Sequence, residues 1–433
     1  MNRQPVTVAF HTLGCKVNQY DTQAMRERFL DAGYQETAFD GAADVYVINT
    51  CTVTGTGDKK SMQLIRRCAR ENPQAAIVVT GCLAQRAADT LRLPGVRLVL
   101  GTQRRGEVVE LLEKALRQDK TLIAVEGLHS APFEKLTVHA HEGHTRATMK
   151  IQEGCDRYCT YCIIPSVRGP IRSRPLEEIR AEAESLAAAG FREAVLTGIH
   201  LTSYGRDFRD GTTLIDAIAA VHAVEGIVRI RIGSLEPVIV TEEFVGRLKA
   251  YTKVCPQFHL ALQSGSDTVL RRMRRRYTSA EFLHACALLR AAYPDCALTT
   301  DVMTGFPGET EEEFAQTVET VRAAAFSRMH VFPYSEREGT VAAAMEGSVP
   351  RAVREARARK LIAIGREMES AYEQRMIGTV QSVLLEEREE DGRTVGYTDS
   401  YIRVHVCGGE PGSVVPVRLT GCEKGEMTGE VMQ

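Results

Sequence analysis

Cys155, Cys159 and Cys162 stand as C-x3-C-x2-C within IQEGCDRYCTYCIIP, and three thiolates on one tight loop can wrap one metal centre. A structural zinc site takes four ligands, commonly as two separated pairs. Three cysteines instead leave one iron of a [4Fe–4S] cluster without a protein thiolate, open to a small molecule. S-adenosylmethionine can take that iron through its amino and carboxylate groups and accept an electron to form a radical. Cys15, Cys51 and Cys82 make a second set of three, far apart in sequence. Each lies just past an apolar run: VTVAFHTLG, ADVYVINT and AAIVVTG. If those runs are parallel strands, their carboxyl ends share one edge and the three thiols converge there. Gly14 and Gly81 permit the sharp turn and close approach that a cluster needs. This second open iron is not required to make a radical, so it is read as the place of a substrate or sulfur species. The competing reading is zinc, or cysteines buried in strand–helix turns.

The other six cysteines, Cys68, Cys255, Cys286, Cys296, Cys407 and Cys422, read as small buried hydrophobes. A disulfide scaffold is not expected, because such scaffolds are short and secreted. The opening MNRQPVTVAFHTLGC lacks the basic start and long apolar run of a secretory leader. No stretch approaches the roughly 18 unbroken apolar residues of a membrane span. The expectation is a cytoplasmic protein with no membrane contact. With 54 basic against 56 acidic residues, contact with a polyanion must come from local patches.

The elements that would position these cysteines fall into three segments, and 44% hydrophobic content over 433 residues supports more than one core. Residues 1–125 alternate buried-strand runs (6–10, 43–50, 75–80 and 96–102) with helix-like stretches such as DTQAMRERFLDAG. That alternation implies an α/β domain with a mostly parallel sheet. A polar passage, HAHEGHTR, reads as a linker, with His139, His141 and His144 solvated rather than metal-bound. Strand candidates then recur at 147–152, 193–199, 228–234, 258–264, 297–305 and 329–335, with helices such as PLEEIRAEAESLAAAG between them. Six strand–helix units suggest an open parallel (β/α)6 barrel spanning, with a trailing charged helix over 350–376, residues 141–376. In such folds active sites lie at the carboxyl ends of the strands. Residues 377–433 turn to short β-type runs, with a hairpin at Asp391-Gly392 and a loop at GGEPGS, and predict a small β-barrel.

The cysteine loop followed by the six-unit barrel resembles the radical-SAM superfamily. That resemblance implies that Tyr161 lies near the cofactor's adenine. It also implies that Thr197, Gly198, Ser234, Glu236, Gln263 and Asp301, at later strand ends, meet its other groups. The whole chain resembles the methylthiotransferase family, which has an N-terminal cluster domain, a radical-SAM domain and a small β-barrel called TRAM. The resemblance implies two [4Fe–4S] clusters, one on Cys15, Cys51 and Cys82 and one on Cys155, Cys159 and Cys162. It further implies conversion of a C–H bond to C–S–CH3 with two molecules of S-adenosylmethionine, one donating methyl and one yielding a 5′-deoxyadenosyl radical. HTLGCKVNQYDT, VLTGIHLTSYG and RRMRRRYT resemble the branch that modifies C2 of N6-threonylcarbamoyladenosine at position 37 of tRNA. The other branches act on N6-isopentenyladenosine in tRNA or on a ribosomal-protein aspartate. The implied partners are the tRNA anticodon loop and a reductant such as flavodoxin or ferredoxin, with the enzyme a monomer.

Local charge supports RNA. Arg271, Arg272, Arg274, Arg275 and Arg276 in RRMRRRYT suit phosphate, base or cofactor contact. Lys59, Lys60, Arg66, Arg67 and Arg70 read as a solvated helix face, and the acid-rich EEREED runs against an RNA-gripping barrel. Two other classes fit parts of the pattern. An iron–sulfur carrier without substrate chemistry would not need a barrel, and a zinc protein that binds RNA would hold zinc without labile sulfide.

Overall fold

The computed structural model describes residues 6–53, 55–139, 145–423 and 425–432. The first layer is a parallel sheet of β1 (Thr7–Thr12), β2 (Gln35–Glu36), β3 (Val45–Thr50), β4 (Ala76–Gly81), β5 (Val96–Leu100) and β6 (Leu122–Ala124), in spatial order β2-β1-β3-β4-β5-β6. VYVINT and AIVVTG are buried at every position, as expected of central strands covered on both faces. Alternate residues divide between two cores. Val45, Val47 and Val78 meet Met25 and Phe29 of α1 (Lys16–Asp31). Tyr46, Ile48, Ile77 and Val79 meet Ile65 of α2 (Gly55–Glu71) and Leu83 of α3 (Cys82–Ala87). Helix α4 (Val108–Gln118) closes the first face with Leu111 and Leu112.

The linker runs along this layer. His139 is exposed and pairs with Glu27 at 3.0 Å, while His141 and His144 lie outside the described residues.

The barrel opens with β7 (Arg146–Glu153), beside which β8 (Arg172–Ser173) runs antiparallel. The parallel staves continue through β9 (Glu193–Gly198), β10 (Arg229–Ile232), β11 (Gln257–His259), β12 (Ala297–Thr304) and β13 (Arg328–Pro333). β10 and β11 are tied by the bridge Leu235↔Leu260. No pairing between β13 and β7 occurs among the described residues, so the barrel is open. Its outward residues, among them Met149, Leu196, Ile230 and Leu298, are clamped by α6 (Leu176–Ala188), α7 (Leu214–His222), α8 (Glu242–Leu248), α10 (Ser279–Ala292) and α11 (Glu311–Ala324). Two short helices stand at strand ends, α5 (Ile164–Arg168) and α9 (Asp267–Arg272). A closed barrel fills its interior with branched aliphatics. This one turns Lys150, Glu193, Arg229, Arg231 and Gln257 away from the aliphatic core, a lining suited to a polar ligand.

Helix α12 (Arg351–Met376) leads to a closed barrel of β14 (Val380–Arg388), β15 (Arg393–Thr398), β16 (Arg403–Cys407), β17 (Val414–Glu423) and β18 (Glu426–Val431), antiparallel throughout except where β16 pairs with β18. Tyr372 and Met376 of α12 share its core. Arg229 donates to the Tyr397 carbonyl at 3.0 Å, and Arg231 donates to that of Asp399 at 3.0 Å. The small barrel is thereby docked against the amino ends of the large barrel's strands.

Two expectations need correction. Cys407, the last residue of β16, is exposed rather than buried, because both ends of that strand, Arg403 and Cys407, lie at the surface while its three middle residues are buried. Cys422 is half-buried, with its thiol 3.4 Å from Glu373. Cys68, Cys255, Cys286 and Cys296 are buried as expected. No described helix is long and apolar enough to cross a membrane.

Candidate active site

β1, β3 and β4 are neighbours in the sheet, so Cys15, Cys51 and Cys82 follow the carboxyl ends of three adjacent strands. The turns are glycine-dependent. Gly14 has φ +108°, and a Cβ there would stand 2.9 Å from Cys51 Cβ and 3.0 Å from its Sγ. Gly81 has φ +93°, and a Cβ there would stand 2.4 Å from the Thr50 carbonyl. Burial pushes the Cys82 thiol up to about 11 and raises that of Cys51. In each case a neighbouring thiol adds to the rise, so these cysteines share one electrostatic site.

The C-x3-C-x2-C loop leaves β7 at its carboxyl end. Gly154, at φ +73°, begins it, and Gln152 fastens it there by donating to the Glu153 and Gly154 carbonyls at 2.8 Å each. The same Gln152 accepts from the His200 backbone at 2.6 Å, tying the loop to the end of β9. Burial raises Cys155 to about 11 and Cys162 to about 12.

The two cysteine sets meet across one interface. Cys82 packs on Ile163 and Val167, immediately after the loop. Arg168, wholly buried, donates to Cys82 Sγ at 3.2 Å and also reaches Glu153 at 2.7 Å, Asp21 at 3.1 Å and Asn18. Lys150 binds Asp21 at 2.5 Å and Glu153 at 3.2 Å, while Arg105 binds Asp21 and Glu134. This buried network balances three cations against three carboxylates, which is what keeps charges tolerable in a dry interior. A second clasp lies nearby, where Arg337 binds Asp58 at 2.5 Å and Thr52, next to Cys51.

Glu236 stands beside the loop at 3.1 Å from His200, 2.9 Å from Arg157 and 3.0 Å from Arg275. Burial alone would raise its carboxyl. The adjoining His200 and the two guanidinium groups overcome this and hold it at about 2. Arg275 also donates to Cys159 Sγ at 3.4 Å and to Tyr277 at 3.0 Å. Tyr161 packs edge-on to Phe306 in an apolar pocket with Met273 and Met303. Thr197 is buried, and Gly198 lies so close to Gln152 that a Cβ would come within 2.8 Å of it. Gln263 takes a left-handed φ of 64° and is buried. Asp301 lies 3.4 Å from His259, and Ser234 is exposed.

Gln263 Oε1 and Arg275 Nη2 are buried without a hydrogen-bond partner among the described residues, whereas Arg157 Nε and His200 Nε2 both turn to Glu236 Oε2. Buried polar atoms are normally satisfied, so these two unpartnered atoms mark a place suited to a polar ligand. Among the described residues no three His, Cys, Asp or Glu side chains come close enough to share a single metal ion. Beside the loop, Tyr158, Cys159, Cys162 and Arg274 line a cavity of about 520 Å3 that also takes in Gln85 of α3.

The arginine run divides. Arg275 turns inward, Arg272 is held by Glu313 at 2.7 Å, and Arg271, Arg274 and Arg276 are exposed. Sequence reasoning missed His200 and Arg157 as partners of Glu236, and missed Arg168 altogether. An arginine two residues before a proline gives no local sign of a thiol contact 86 positions away.

Family models match along the chain in the same order. "Uncharacterized protein family UPF0004" covers residues 7–101, "Radical SAM superfamily" 149–321 and "TRAM domain" 374–432. The threonylcarbamoyladenosine tRNA methylthiotransferase MtaB of Bacillus subtilis (strain 168) is 45% identical, over 95% of this chain and 93% of its own length. A tRNA-2-methylthio-N(6)-dimethylallyladenosine synthase of Streptomyces avermitilis is 36% identical, over 96% of this chain and 86% of its own. Among solved structures, the radical S-adenosylmethionine methyltransferase TsrM of Kitasatospora setae shares the fold, with TM-score 0.55 over 75% of this chain and 72% of its own at 14% identity.

Proposed function

The chain belongs to the tRNA methylthiotransferases of the radical-SAM superfamily, and on that premise we propose that it adds a methylthio group to C2 of N6-threonylcarbamoyladenosine at position 37 of tRNA. The substrate assignment is supported by the 45% identity to the threonylcarbamoyladenosine enzyme, against 36% to the dimethylallyladenosine one. The single observation that carries the reaction is the meeting of two three-cysteine sets at one interface, joined by Arg168.

Superfamily membership brings S-adenosylmethionine and a [4Fe–4S] cluster. Cys155, Cys159 and Cys162 hold that cluster, and Cys15, Cys51 and Cys82 hold a second one. The clusters supply reducing electrons for S-adenosylmethionine cleavage and a seat for the sulfur to be transferred. The protein's own residues do the rest. Gln152 and Gly154 fix the loop, and Arg168 fixes Cys82 relative to it. Glu236, Arg157 and Arg275 form a charged edge of both signs, suited to the amino and carboxylate groups of S-adenosylmethionine. Tyr161 supplies an aromatic face for its adenine. Thr197, Gly198, Ser234, Gln263 and Asp301 complete the strand-end rim, where Gln263 Oε1 offers an unused acceptor.

The work divides among residues 1–125 for the second cluster, 141–376 for radical formation and 377–433 for gripping tRNA near its anticodon loop. The acid-rich EEREED does not oppose that role as strongly as its composition suggests. Glu386 pairs with Arg146 at 2.7 Å, and Glu389 pairs with Arg403 at 3.2 Å. The enzyme acts in the cytoplasm as a monomer, fed by flavodoxin or ferredoxin.

Nucleoside mass spectrometry of tRNA from cells with and without the gene tests the substrate. Loss of the methylthio form with accumulation of plain threonylcarbamoyladenosine is the expected result. Loss of the methylthio-isopentenyl nucleoside instead would move the enzyme to the other branch.

A further inference from the structure

A second cavity, of about 310 Å3, lies where all three parts of the molecule meet. Helix α1 contributes Lys16, Gln19 and Gln23, the staves β7 and β10 contribute Arg146 and Arg231, and the small barrel contributes Tyr401. Four cations line it in all, with Arg26 the fourth, and no described carboxylate does. Three of the four are committed. Arg26 pairs with Glu36 at 3.0 Å, Arg146 with Glu386 at 2.7 Å and Arg231 with Glu193 at 2.8 Å. Lys16 makes no hydrogen bond or ion pair with any described residue, although its side chain is exposed to the cavity. Tyr401 is held in place from both sides. Its hydroxyl accepts from Arg146 at 2.6 Å, and the Arg231 guanidinium lies 4.5 Å from its ring centroid.

Lys16 immediately follows Cys15, so the cavity begins beside one cysteine set and runs into the polar interior of the barrel. Its lining is ammonium, guanidinium, amide and hydroxyl, with Val195 its one aliphatic side chain. An isopentenyl group would bury apolar surface against this lining without return and would leave the ammonium without a partner. A threonylcarbamoyl group brings a carboxylate, a hydroxyl and a ureido linkage, each with a complementary partner here. The volume falls at the lower end of ordinary ligand pockets.

We infer that this cavity receives the N6 substituent of the target adenosine, with Lys16 pairing to the threonyl carboxylate and Gln19 meeting the ureido group, and that it makes the enzyme selective for a carboxylate-bearing nucleoside. The inference rests on the tRNA reading above and names the specificity determinant of the same site. An RNA phosphate offers similar chemistry to an ammonium, and the test separates the two sources.

The test measures the affinity of the cluster-loaded protein for one tRNA prepared with either threonylcarbamoyladenosine or plain adenosine at position 37. Lys16→Met should weaken binding of the modified tRNA by about 10- to 100-fold, the loss of one charge-assisted hydrogen bond. It should leave binding of the plain tRNA unchanged. Lys16→Arg should keep most of the preference, and Gln19→Leu, one turn away from Cys15, should reduce it several-fold. Iron content equal to wild type confirms that the cysteine site beside Lys16 is intact. Equal weakening of both tRNAs assigns Lys16 to the phosphate backbone and overturns the inference, as does an undiminished preference in Lys16→Met. Failure of the wild-type enzyme to methylthiolate the modified tRNA would instead defeat the substrate assignment itself.

Discussion

Glu236 shows how single residues build this site. One carboxylate, buried to 4% exposure, answers His200, Arg157 and Arg275, and Arg275 in turn reaches a cysteine of the C-x3-C-x2-C loop. Removing one member of a buried charge set strands the others, at about 3–5 kcal/mol. Glu236→Ala is therefore expected to lower the thermal midpoint of the holoenzyme clearly, and an unchanged midpoint would show that its three partners are satisfied elsewhere. The pH dependence has a definite sign. The folded carboxyl is depressed to about 2 from an ordinary 4.5, so its stabilisation is complete above the ordinary value and is lost as pH falls towards 2. Stability of the wild type should fall more steeply than that of Glu236→Gln between those values. Glu236 itself was legible, because a polar residue after a strand of the barrel is a standing candidate. Its partners were not. Arg157 lies inside the cysteine loop and Arg275 inside a run that reads as an RNA patch, and only folding turns one arginine of that run inward.

At the scale of elements, the chain solves the same problem three times. A buried strand ends, a glycine takes a conformation closed to other residues, and a cysteine follows: Gly14-Cys15, Gly81-Cys82 and Gly154-Cys155. The tightest is Gly154, where a Cβ would lie 1.8 Å from the Pro170 carbonyl. Gly154→Ala is expected to displace the loop and remove about half the iron, with the other cluster retained. Gly190→Ala is the control. It also has positive φ, but nothing lies within 4 Å of its Cβ, so it should cost only about 1–2 kcal/mol and leave the iron intact. Full iron content in Gly154→Ala would show that the loop tolerates the shift. These strands were readable in advance because apolar runs such as VYVINT and AIVVTG leave little choice of element. β18 was not readable, since EMTGEV buries only Met427 among its apolar residues and is held by pairing with β16 and β17. β2 and β8, two residues each, have no pattern to detect.

At the scale of the molecule, the arrangement places the C-x3-C-x2-C loop at one end of the large barrel and the small barrel at the other, with α1 passing between them. The α1 face that carries Lys16, Gln19 and Gln23 looks into the junction, and Asp21 on the same helix enters the network around Arg168. No local sequence feature announces this, because the three cations that meet Asp21 lie 84 to 147 positions from it. Under the proposed function the two cysteine sets perform separable parts of one reaction. Cys15→Ala and Cys155→Ala, compared for iron, 5′-deoxyadenosine and methylthio nucleoside, test it most directly. Cys15→Ala should lose about half the iron and all methylthio product while still cleaving S-adenosylmethionine. Cys155→Ala should lose both activities. Full methylthio product from Cys15→Ala would show that Cys15 has no part in sulfur insertion.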